Sequence, residues 1–95
     1  MNLHIEKIEG YRDGGTIAIH TNQGLYCVDG RELSNNTPNK TRGMLFFGYP
    51  NNSEPLESTE AKQIKKELKL ALKEFGMLSQ NYQAYLPIIE RIKIK

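Results

Sequence analysis

Arg31, Lys40 and Arg42 stand among Thr37, Thr41 and several asparagines in the stretch from Asp29 to Pro50, which closes on Phe46, Phe47 and Tyr49. These residue types suit the capture of a phosphate-bearing anion. An arginine fork grips phosphate with two parallel hydrogen bonds. Threonine and asparagine add neutral donors. An aromatic face stacks on a nucleobase for roughly 1–3 kcal/mol. Gly30, Gly43 and Gly48 allow close approach of the backbone. On this reading Arg31, Lys40 and Arg42 hold a small anionic, nucleotide-like ligand, Thr41 orients it, and Phe47 or Tyr49 stacks on it. Ordinary connecting loops use the same residues, so a plain structural loop is the competing account.

A second constellation is Cys27 with His20 and Asp29. A nucleophilic thiolate needs a base and an orienting third group. The expected hairpin puts His20 and Cys27 on one face. Flat sheet faces rarely form the pockets that catalysis prefers, and cysteine is a common small core residue. Cys27 is therefore read as a space filler, and the chain as a non-catalytic binding protein. His4, His20 and Cys27 lack the paired spacing of a zinc site, so no metal is expected. Glu6, Glu9 and Asp13 are scattered near turns and read as solvated. The sequence has no Walker loop, GxGxxG or GxSxG, and no cofactor is expected.

The elements that must position these residues are led by the stretch from Ser58 to Phe75. Ala61, Ile64, Leu68, Ala71, Leu72, Phe75 and Leu78 fall on one side of a helix. Ser58 offers an N-cap hydroxyl. Gly76 can close the helix, or the helix can run on to Pro87 with one internal glycine. Lys62, Lys66, Lys69 and Lys73 share a narrow outer wedge, with Glu60, Glu67 and Glu74 on the far flank. Such a wedge is first a solvated face. As a functional surface it is a ridge that attracts an anionic partner.

Ahead of the helix the pattern is one of short strands. Leu3 and Ile5 alternate with polar residues, and Ile8 breaks the alternation, which places a bulge near Glu6–Lys7. Residues 16–21 and 25–29 read as a hairpin around Asn22-Gln23-Gly24. If Thr21 opposes Gly24, then Ile17, Ile19, Tyr26 and Val28 share one face, and Ala18, His20, Leu25 and Cys27 the other. One helix covers one face only, so the second needs the long loop, a partner chain or another copy. A twofold homodimer is the expectation. Residues 44–47 form a fourth strand. Pro87 is expected to end helical structure, and Ile88, Ile92 and Ile94 to face inward from a last strand whose Arg91, Lys93 and Lys95 face out. The fold class is thus α+β, an antiparallel sheet in ββββαβ order packed on one face by a single long helix.

At 95 residues, with 38% hydrophobic content, residues 1–95 read as one α+β domain with a modest core. No stretch is apolar enough to span a membrane, and residues 1–10 lack a signal-peptide pattern. A lone Cys27 excludes an internal disulfide. Both point to the cytoplasm. The net charge of +2 is small for a dedicated nucleic-acid binder. Richness in lysine, asparagine and isoleucine suits an AT-rich bacterial or phage genome. Beside the small-anion reading stand two alternatives: a protein-interaction module or inhibitor, and a weak nucleic-acid binder using the lysine ridge.

Overall fold

A computed structural model of the chain describes residues 2–10, 15–30, 41–50, 53–79 and 82–94, with backbone only at 77–79 and 82. Four strands, β1 (Ile5–Gly10), β2 (Ile17–Thr21), β3 (Gly24–Val28) and β4 (Leu45–Phe47), precede two helices, α1 (Ser58–Ser79) and α2 (Tyr82–Glu90). The strands form one antiparallel sheet in the order β1-β2-β3-β4. The fold is α+β.

The β2–β3 register follows from its turn. Thr21 opposes Gly24, His20 opposes Leu25 and Ala18 opposes Cys27. The β1–β2 ladder slips between Ile5 and Lys7. That bulge returns Ile8 to the face of Ile5 and sends Lys7 and Glu9 to the other. Gly24 has φ 129°, and a Cβ there would lie 2.8 Å from the Phe47 ring. Phe47 fills the place of the missing side chain and meets Tyr26 edge-on, with centroids 5.2 Å apart.

The first face carries the main core. Ile5, Ile19, Tyr26, Val28 and Leu45 meet Ile64, Leu68, Ala71 and Leu72 of α1, together with Ile89 and Ile92. Each large aliphatic side chain taken out of water here contributes about 1.5–3 kcal/mol. On the second face Ala18, Cys27 and Phe46 form a smaller cluster with Leu25 and Met44 against it. All three are fully buried within one chain.

The helical part differs from the single long helix expected. α1 runs through Gly76 to Ser79, and a second helix follows, with Pro87 inside it. The first helical bond of α1 runs from Ala61 N to Glu57 O, so Glu57 takes the cap position and Ser58 begins the helix. Among the described residues the last strand of the ββββαβ order is absent. Ile88, Ile89 and Ile92 follow a helical spacing, and Tyr85, Leu86 and Ile89 pack on the core. Burial of these side chains outweighs the ~3 kcal/mol that an interior proline costs a helix. Of the expected strand there remains one parallel bridge, Met44 to Lys93.

Candidate functional site

The turn that leads into β4 is built on Asp29. Asp29 N donates to Met44 O at 3.0 Å, and Gly43 N donates back to Asp29 O. The Asp29 side chain is buried, and its Oδ2 accepts from Thr41 Oγ1. A buried carboxylate needs such donors. Gly43, at φ 84°, closes the turn in the left-handed region. Arg42 is thereby held out into solvent.

The bridge after α2 brings further cations to this turn. Lys93 N donates to Gly43 O at 2.8 Å. A Cβ on Gly43 would sit 3.7 Å from Lys93 Cβ and 3.9 Å from Arg91 O. Lys65 of α1 donates to Ile92 O at 3.0 Å, which pins the segment between these two basic residues. Arg91 and Lys93 are exposed. Arg42, Arg91 and Lys93 thus share one corner of the molecule.

Of the residues expected to form the site, Arg31 and Lys40 lie outside the described residues. Thr41 and Arg42 are in the turn, but the Thr41 hydroxyl proton is committed to Asp29. Phe47 and Tyr49 are 55% and 47% exposed. Phe47 ends β4 and Tyr49 lies just past it, four or more residues from Gly43, or about 13 Å at strand rise. Gly48, at φ 86°, separates them. Phe47 keeps to the Tyr26 face, whereas Tyr49 comes within electrostatic reach of Lys7 on the other. The cations and the aromatics therefore occupy opposite ends of one short strand. Arg91 and Lys93 come to this turn through a pairing between segments remote in sequence, which no local pattern marks.

The Cys27–His20 pair does not assemble as a nucleophile and base. Burial first, and Asp29 second, push the Cys27 thiol up to about 11. That is the opposite of what an activated thiol needs. His20 Nε2 instead faces Glu9 Oε2 at 3.8 Å, beyond hydrogen-bond range, and that nitrogen has no hydrogen-bond partner. Glu9 also pairs with Lys7, and that hydrogen bond and charge raise the Lys7 pKa. Glu9 is thus engaged on the second face rather than merely solvated.

On α1, Lys62, Lys66, Lys69 and Lys73 are all exposed, and Lys69 lies 3.6 Å from Glu90 of α2. The acidic flank is less simply solvated than its composition implies, since Glu67 is buried. Burial first, then the charges of Glu60 and Glu67, raise the pKa of the Tyr26 phenol. Among the described residues no three His, Cys, Asp or Glu side chains are placed to hold a metal ion, and no helix is long and apolar enough to cross a membrane. No protein-family model, curated protein or solved structure matches the chain.

Proposed function

We propose that the protein binds a small anionic, nucleotide-like ligand at the turn around Arg42, with Arg91 and Lys93 completing the basic corner. The observation that supports this reading most is the Lys93 N to Gly43 O bond, which fastens the basic segment after α2 to the turn that presents Arg42. Three cations on a braced backbone offer directed hydrogen bonds to phosphate. In this reading Thr41 acts through Asp29, by holding the turn, rather than on the ligand. Phe47 and Tyr49 serve a ligand only if its planar end lies far from its anionic end, as in a nucleotide.

The lysine ridge is a weaker candidate for phosphate. Its cations are point charges without an aromatic platform, screened within about 8 Å at physiological salt, and Lys69 already faces Glu90. Homodimerisation through the second sheet face has lost its main motive, because the centre of that face is buried in one chain. A reducing, cytoplasmic setting accords with the single buried thiol.

The test is a thermal-shift panel of nucleoside mono-, di- and triphosphates, followed by calorimetry with the compound that stabilises most. Arg42→Ala should weaken binding by about 1.5–3 kcal/mol. Arg42→Lys should recover part of that loss. Lys66→Gln with Lys69→Gln should change mainly the salt dependence. If no phosphate compound raises the melting temperature, or if the lysine pair abolishes binding while Arg42→Ala does not, the proposal fails.

A further inference from the structure

A cleft of about 180 Å³ opens between the start of the described chain and α1. Leu3, His4, Glu67, Leu70, Ala71 and Glu74 line it. Among the described residues no lysine or arginine does. Glu67 and Glu74 stand two helical turns apart on the flank of α1 that faces it. Glu67 is only 9% exposed, and its Oε2 is shielded from water with no hydrogen-bond partner. A buried carboxylate oxygen left in that state costs free energy, and a turn of the Glu67 side chain toward the cleft it lines lets a donor there satisfy it. The exposed Glu74 lies 3.5 Å from His4 Nδ1.

The opposite wall is fixed. Asn22, in the β2–β3 turn, accepts from His4 N at 2.7 Å and donates its own N–H to His4 O at 3.1 Å. Its side-chain amide donates to Asn2 O at 2.8 Å. Leu3 and Ala71 add buried apolar surface, and Leu70 is 65% exposed. The cleft thus joins negative charge to an apolar lining.

We infer that this cleft binds a single alkylammonium group, the end of a small amine or of a lysine side chain. Its size decides against larger ligands, since sites for drug-sized molecules run to about 300–1,000 Å³. An ammonium brings three donors and one positive charge, and its methylene stem covers apolar surface while the head stays polar. The preference for a cation also separates this cleft from the basic corner at Arg42.

The test is an amide chemical-shift titration of the whole chain with n-butylamine hydrochloride, and with n-butanol as the uncharged control, at constant salt. The amine should shift Leu3, Leu70 and Ala71 in a saturable way, and the alcohol should bind about tenfold more weakly or worse. Glu67→Gln should lower amine affinity about tenfold. Glu74→Lys, at an exposed position that folding tolerates, should abolish it by placing a tethered ammonium beside the cleft. Capped lysine amide run in parallel identifies the source: tighter binding than butylamine marks a protein lysine, and weaker binding marks a free amine. The inference is overturned if butanol matches butylamine, or if Glu74→Lys binds butylamine like the parent chain.

Discussion

Thr41 gives its hydroxyl proton to the buried carboxylate of Asp29, a residue twelve positions earlier and just past the end of β3. The bond ties the two ends of the long connection together and sets where Arg42 projects. Thr41→Val keeps the shape and removes the donor. It should destabilise the fold by about 1.5–3 kcal/mol, the range for a hydrogen bond to a charged group. Thr41→Ser should restore most of that. Urea titration of the three proteins measures it, and equal midpoints would show that the bond does not hold the turn.

Cys27 should be inert in the native state and should make stability fall at alkaline pH. Its thiol pKa is raised to about 11, against about 8.5 for an ordinary cysteine. The native state therefore favours the neutral thiol. Its contribution is complete below about pH 8.5 and is lost as pH climbs to about 11, on the order of 3 kcal/mol in all. Burial raises the Tyr26 phenol as well, so the slope must be compared with that of Cys27→Ala. The substitution should flatten the curve between those limits. Fast reaction of the folded protein with a thiol reagent at neutral pH would refute the assignment.

Gly24 and Phe47 should behave as one unit. Gly24→Ala meets both a positive φ and the Phe47 ring at 2.8 Å. A cost of about 2–4 kcal/mol is expected from backbone strain with overpacking. Phe47→Leu in the same chain should return part of it, with a coupling of about 0.5–3 kcal/mol. A double-mutant cycle by chemical denaturation reads this directly. Strict additivity would mean that the contact carries no energy.

Pro87→Ala should stabilise the protein. Residue 87 is exposed and lies within α2. Alanine restores a backbone donor to the helix interior and removes the ring clash, worth ~3 kcal/mol or more in a free helix. Part of the gain is offset because proline also restricts the unfolded chain by about 0.4–1 kcal/mol. A rise in Tm of several degrees is expected. A fall would show that the ring itself packs usefully.

Short-range grammar was legible in the sequence, and long-range pairing was not. Asn22-Gln23, followed by Gly24, supplied a two-residue turn, and with it every partner in the β2–β3 ladder. Ile8, out of phase, marked the bulge. The stripe from Ala61 to Phe75 marked the buried side of α1. The end of the chain misled because Ile88, Ile92 and Ile94 fit an alternating pattern as well as a helical one, and Pro87 weighed against the helix. The docking of Lys93 on Gly43 and the burial of Glu67 depend on contacts between segments far apart in the chain. No local pattern encodes them. Arg31 and Lys40, two of the six residues expected to form the site, lie outside the described residues.

The sheet's spatial order repeats its order in the chain, and this bears on how the protein is made. All four strands leave the ribosome before any of α1, so the face bearing Ile19, Tyr26, Val28 and Leu45 has no cover while residues 48–75 are still being added. At ~5–20 residues per second that interval lasts about one to six seconds, long beside the microseconds in which a hairpin forms. Throughout it the nascent sheet presents its most apolar side to solvent, and a chaperone that grips short β-branched and aromatic segments has that window in which to act.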